Sequence, residues 1–333
     1  MKKLTKIGVS ALAGSLAAVA ANAGELSVSG SAVMSYTSQD GTTTTQGGGL
    51  GMKNNMTFTG SGDVNGMTVT YTNVLTDTAG VSSSNIAIDM GDNGVIEFDQ
   101  GVGGNGIAAI DDMTPTAWEE SWDGLGSGPS FVGGSANVIQ YTNTIGGLGV
   151  NAMYDQSVND SDNADGNQNG VGSTSTASGS AASIAITLPA LVDGLAAGFG
   201  YGESSVKDGT TTSTDRTSVT GYANYSMGPV TVGYNQSESA GGAGGAVTEV
   251  TEGLGIVFNV NDDLSISYSQ FTNDHKNTSG TADVEEESTA ISIAYTMGGA
   301  TLAIQSSEAD NVDGSTAASA DKDRTEINLS LAF

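Results

Sequence analysis

The feature that most constrains this chain is a side-chain alternation of period two that begins near residue 25 and returns, segment after segment, to residue 333. In the first segment Leu26, Val28, Gly30, Ala32, Met34 and Tyr36 fall on one side, and Ser27, Ser29, Ser31, Ser35 and Thr37 on the other. Leu50, Met52, Met56 and Phe58 then alternate with Lys53, Asn55, Thr57 and Thr59. The pattern recurs at Val69 and Tyr71, at Ile86, Ile88 and Met90, and from Leu195 to Tyr201. It continues at Val230 to Tyr234, Leu264 to Tyr268 and Ile291 to Tyr295. Residues two apart point the same way in a strand, so each segment is a ribbon with one apolar and one polar face. The fold must give every ribbon's apolar face the same environment.

The connections sort these ribbons. Tight turns are read at Asp63-Val64-Asn65-Gly66, Asp92-Asn93-Gly94, Gly146-Gly147, Val192-Asp193-Gly194, Met227-Gly228-Pro229, Asn261-Asp262-Asp263 and Gly298-Gly299, from residues that accept turn geometry. Between them lie long polar stretches near 39–49, 77–82, 100–134, 157–181, 203–215, 237–247, 273–286 and 307–321. Strict alternation of long and short connections predicts about sixteen antiparallel strands, with short turns at one rim and long loops at the other. The fold class expected is all-β, a transmembrane antiparallel up-and-down β-barrel. A hydropathy scan misses such a barrel, because each strand shows lipid only every second residue.

The ends agree with export to a membrane. Lys2, Lys3 and Lys6 precede an apolar run from Ile7 to Ala20 and an Ala21-Asn22-Ala23 site, the pattern of a secretory signal peptide over residues 1–23. Its removal leaves six basic residues against 37 acids, a formal charge of −31. Nucleic acid is thereby excluded as a partner. With no cysteine, disulfides, thiolate chemistry and Cys-ligated zinc are excluded as well. At the other end Ile327, Leu329, Leu331 and the terminal Phe333 alternate with Glu326, Asn328, Ser330 and Ala332.

With its signal peptide, about sixteen strands, an overlong third loop and a final aromatic residue, the chain resembles the bacterial general porins. The resemblance covers residues 24–333 and is one of architecture. It implies a homotrimer in the Gram-negative outer membrane, in contact with outer-membrane lipid. It also implies that Phe333 is the C-terminal signal read by the outer-membrane assembly machinery. Small hydrophilic solutes and ions would cross by passive diffusion.

The third loop, about 100–134, is unlike its surroundings. It holds Trp118, Trp122, Pro115, Pro129 and the carboxylates Asp111, Asp112, Glu119, Glu120 and Asp123. Sixteen strands about 4.8 Å apart and tilted near 45° enclose a barrel roughly 35 Å across, with about 20 to 25 Å left open after side chains. A hole of that width discriminates little, so an inward-folded loop is expected to narrow it. Thr114 as N-cap and Pro115 at the first helical position predict about two helical turns over Thr116 to Asp123. Trp118 and Trp122 would then share the face packed on the wall, and Glu119 and Asp123 the face toward water. Strand parity puts Glu97 and Asp99 inside the lumen, with Lys53, Arg216 and Arg324 as the candidate basic wall. Porins related by the resemblance oppose an acidic third loop to a basic wall. Here those three bases lie close to the long-loop rim. A net-negative, cation-preferring constriction is expected.

Other chemistries fail on context. Gly101-Val102-Gly103-Gly104-Asn105-Gly106 fits the dinucleotide pattern, but no helix leading to a parallel strand follows it. Asp160 to Gly166 has the look of a calcium loop, yet Ala164 and Val171 occupy ligand positions. Weak Ca²⁺ binding by acidic loops is the only cofactor expectation. His275, the single histidine, is read in a loop with no partners for a triad. No enzymatic activity is expected. Two alternatives stand beside the diffusion channel. One is a substrate-specific channel on the same fold, and the other a secreted β-rich adhesin or structural protein that makes no pore.

Overall fold

A computed structural model describes residues 24–40, 48–77, 80–126, 128–132, 136–157, 178–190, 192–207, 213–241, 249–276 and 283–333. The signal-peptide reading at 1–23 and the calcium-like segment at 160–171 lie outside these residues.

The first strands are β1 Leu26–Asp40, β2 Gly49–Val64, β3 Met67–Thr76, β4 Val81–Asp89, β5 Val95–Gln100 and β6 Ala136–Ile145. They continue as β7 Leu148–Ser157, β8 Ser178–Thr187, β9 Leu195–Lys207, β10 Ser213–Met227 and β11 Val230–Gly241. The series ends with β12 Glu249–Asn259, β13 Leu264–His275, β14 Val284–Met297, β15 Ala300–Asp310 and β16 Lys322–Ala332. Each pairs antiparallel with its neighbours in the chain, and β1 pairs with β16, which closes the barrel. Sixteen strands and the alternation of long and short connections agree with the sequence reading. Some boundaries move: β9 runs into the stretch expected to be loop, and His275 is the last residue of β13.

The burial pattern is inside out relative to a water-soluble protein. On β14 the outward Ile291 is 57% exposed, while its inward neighbour Ser292 is 0% exposed. On β13 Ser265, Ser267, Ser269 and Asn273 are buried inward, and Ile266 and Tyr268 are exposed outward. Phe199, Tyr201, Leu254, Ile256 and Phe258 continue this apolar outer surface. A continuous belt of that kind is stable only against lipid.

Local chemistry explains the rims and the seam. Asn65 and Gly66 have φ of 56° and 81°, the paired left-handed conformation of a two-residue hairpin turn. At the seam the Gly30 amide donates to the Phe333 carbonyl at 2.8 Å, and the Phe333 amide returns a bond to the Gly30 carbonyl at 3.1 Å. A Cβ at residue 30 would stand 2.8 Å from the Phe333 ring, which lies close over the first strand there. A register shift at Asp99 and Gln100 on the β5–β6 pair marks where the third loop leaves the wall.

Candidate functional site

The loop between β5 and β6 lies against the inner wall, and its own apolar residues fill what the wall lacks. Ile107 is fully buried, and Ile110 clusters with Ala185 and Tyr222. Leu125 clusters with Ala309, Val312 and Ala320. Burying one such side chain stabilises by about 1.5–3 kcal/mol, which fixes the loop at several points.

Its course begins at Asp99. That carboxylate accepts hydrogen bonds from the Val102 amide at 2.8 Å, the Gly103 amide at 3.1 Å and Asn105 Nδ2 at 2.6 Å. Asp99 was expected to offer charge to the lumen; at 0% exposure it instead holds the turn that launches the loop. Glu97 stays on the inner face and accepts from Asn85 Nδ2 at 2.7 Å. The glycines that mimic a dinucleotide motif lead into a short 3₁₀ turn, Gly106–Ile110, still inside the loop.

From there the wall takes up the loop's backbone groups one by one. The Gly106 amide donates to Asn151 Oδ1 at 2.9 Å and the Ile107 amide to Ser183 Oγ at 3.0 Å. Asn224 Nδ2 donates to the Met113 carbonyl at 2.6 Å, and the Ala117 amide to Ser267 Oγ at 2.8 Å. Gln305 Nε2 reaches the Glu120 carbonyl at 3.0 Å. Two cations of β16 finish the series: Arg324 Nη1 on the Asp123 carbonyl at 2.7 Å, and Lys322 Nζ on the Leu125 carbonyl at 2.6 Å.

The helix expected over Thr116 to Asp123 does not form. Bends run through Ala117 to Glu119 and a turn spans Ser121 to Leu125, closed by the Leu125 and Gly126 amides on the Trp122 carbonyl, each at 3.0 Å. The wall binds the segment at the Ala117 amide and at the Glu120 and Asp123 carbonyls, and holds it along this irregular course. Without the helix the two tryptophans do not share a helical face. Trp122 packs on Phe271 with ring centroids 5.9 Å apart and tilted by 56°. Trp118 is half-buried, and its carbonyl accepts from Thr116 Oγ1 at 3.2 Å.

The acids divide into two groups. Glu119 and Asp123 are hydrogen-bonded to each other beside Glu326 and Arg324. Burial first, then the bond to Asp123, its charge and that of Glu326, push Glu119 up to about 8 against the pull of Arg324. At neutral pH it carries a proton. Asp111, Asp112 and Glu120 instead line a recess between the loop and β11–β13.

The basic residues do not form an opposing wall. Arg324 is paired with Glu326 and packed under Gly124, where a Cβ would stand 2.4 Å from its guanidinium carbon. It anchors the loop. Lys53 and Arg216 are exposed on the inner face near the long-loop rim, in register with Val33 and Gly241.

Two glycine tracks seat the loop and were not singled out in the sequence. A Cβ at Gly200 would meet Ile107 at 2.8 Å, and one at Gly202 would meet Val132 at 2.4 Å. At Gly233 and Gly255 it would lie 2.5 Å from Pro115 Cδ and 2.4 Å from the Pro115 carbonyl oxygen. The signal was legible as Gly198-Phe199-Gly200-Tyr201-Gly202 and Gly253-Leu254-Gly255, strands whose inner face has no side chain. Lys322 was missed too, although it shares the inward parity of Arg324.

A closed sixteen-strand barrel with a long inward loop pinned to its wall is the fold of a porin. The family model for Gram-negative porins matches residues 8–333, and the chain belongs to that family. It is an outer-membrane channel protein. Comparison with curated proteins finds no match. Among solved structures, OmpF of Salmonella typhi in complex with daunomycin is similar, with a TM-score of 0.68 and 14% identity over 93% of this chain and 98% of that one. An anion-selective porin from Comamonas acidovorans gives a TM-score of 0.63 at 14% identity, covering 92% and 99%. OmpT of Vibrio cholerae in trimer form gives 0.61 at 14%, covering 93% and 100%. At such identities the likeness is one of fold.

Proposed function

We propose that this porin is a water-filled channel for passive diffusion of small hydrophilic solutes and ions, that it prefers cations, and that it works as a homotrimer. The observation that carries the preference is the imbalance along the loop. Asp111, Asp112 and Glu120 line the recess beside the loop and no Lys, Arg or His lines it with them, while the nearest inward cations, Arg324 and Lys322, are held against the loop carbonyls of Asp123 and Leu125. The anion-selective relative has the same fold, so the sign of selectivity must come from residues of this kind rather than from the barrel.

The homotrimer reading draws on the trimeric form of the Vibrio cholerae relative, and the assembly signal at Phe333 on the amphipathic end strand. Cleavage after Ala23 follows from the leader pattern, and the intact mass of the membrane-extracted protein checks it: a mass that retains residues 1–23 refutes it.

The test of selectivity is a reversal potential across a planar bilayer with a KCl gradient. The expected sign is that of cation preference, weakened at high salt as the screening length shortens. Replacing Glu120 and Asp123 together by Gln and Asn should at least halve the permeability ratio. An anion-selective reversal potential, or a ratio untouched by the double variant, would overturn the assignment.

A further inference from the structure

We propose that hydroxyl groups on the inner face of β1–β3 make this channel prefer neutral polyhydroxylated solutes of monosaccharide size over net-neutral solutes of similar size without hydroxyls. The inference deepens the diffusion-channel reading and rests on it.

The third loop covers one side of the wall. Between Gly106 and Leu125 its backbone is bound by side chains of β7, β8, β10, β13, β15 and β16. The passage left beside it runs along β1–β4. One residue type meets opposite surroundings on the two sides. Inward hydroxyls under the loop are sealed, with Ser267 4% and Ser288 1% exposed. On β1–β3 the inward Ser27, Ser29, Thr57, Thr59 and Thr72 are only half-buried.

These five residues form a grid. Ser29 pairs with Thr57, and Ser27 with Thr59, which pairs in turn with Thr72. The second row continues through Asn85 to Asp99, so the grid stands level with the point where the third loop leaves the wall. Charge is kept to the edges of this face. Lys53 is exposed near the long-loop rim. Asp63 and Asp89 hold turns at the other rim, accepting from the Gly66 amide at 3.2 Å and the Gly91 amide at 2.8 Å.

A hydroxyl donates and accepts at once. Strand geometry sets neighbouring hydroxyls about 4.8 Å apart across the sheet and about 6.8 Å apart along a strand, so a ring sugar reaches the next before it leaves the last. Each solute hydroxyl stripped of water finds a replacement partner, which lowers the barrier to passage. A polyol uses both capacities of every wall hydroxyl, whereas a solute that only accepts uses one. An uncharged wall adds no attraction for anions, which the loop carboxylates repel.

The probes are arabinose and glycine betaine, a zwitterion without hydroxyls, in swelling of liposomes that carry the whole protein. Replacing Thr57, Thr59 and Thr72 together by Val keeps side-chain shape and removes three hydroxyls. Arabinose entry should slow about threefold, with betaine entry and KCl conductance reduced by less than about a third. Thr59→Val alone should slow arabinose by about half as much, which keeps the test open if the triple variant does not fold, and the triple Thr→Ser variant should restore the wild-type rate. Unchanged arabinose entry, an equal loss for betaine, or a serine variant as slow as the valine one overturns the preference while KCl conductance upholds the channel. Absence of KCl conductance from folded wild-type protein overturns both.

Discussion

Glu119 is the residue on which the constriction's charge depends most. Its proton at neutral pH withholds one negative charge from the constriction. Raising the pH through about 8 ionises it and should increase cation preference, read as a larger reversal potential in a KCl gradient between pH 7 and pH 9. Glu119→Gln removes that step, so an equal shift in the variant would refute the assignment. The effect on stability has the opposite sense. A carboxyl with a raised pKa leaves the folded loop binding more protons than the unfolded chain, so its contribution is complete below about 4.5 and is lost as pH rises through about 8. Asp99 shows how little residue type says alone. The same carboxylate chemistry that serves the lumen at Glu97 serves three loop donors there.

At the scale of elements, the loop and the inner wall form one structure. Hydroxyls, amides and glycines of β7 to β16 receive a segment that has little regular structure of its own. Gly255→Val should show this, because even its first carbon collides with Pro115. Overpacking of this kind typically costs about 1–3 kcal/mol, here applied to the docking of residues 114–117 rather than to the barrel. Single-channel conductance should rise by roughly half as the loop is displaced from the wall, with strand content by circular dichroism unchanged. Unaltered conductance would mean that this track does not hold the constriction. Much of this element was legible. Its length, prolines, tryptophans and acids marked it as the foreign segment among strands. Its irregular course was not, because capping and propensity describe a segment in isolation, whereas Ser267, Gln305 and Arg324 bind its backbone from strands far away in sequence.

For the whole molecule, closure is the decisive contact. The two hydrogen bonds between Gly30 and Phe333 join the ends of a chain whose other strands pair with sequence neighbours. Deleting Phe333 removes both bonds and the ring over Gly30. Each bond contributes about 0.5–1.5 kcal/mol net, and the unpaired edge left behind adds to the loss. The folded band in semi-native electrophoresis should unfold at a lower temperature by several degrees, and less protein should reach the membrane. A deletion variant with wild-type heat stability would show that closure does not depend on this residue.

By itself the sequence determined the barrel. Strand side chains alternate with period two, turn chemistry is local, and both can be read without knowing what any residue touches, so strand number, topology and the inside-out surface followed directly. Only the tertiary structure decided what the inner face does. Inward polar residues look alike in sequence whether they meet water, a loop carbonyl or each other. Arg324 and Lys322 became anchors, Asp99 a turn clasp, and Ser269 with Asn235 the walls of a recess, because a loop brought from residues 101–132 passes over them. Contacts between groups a hundred or more residues apart have no local signal, and the course of the third loop rests on them.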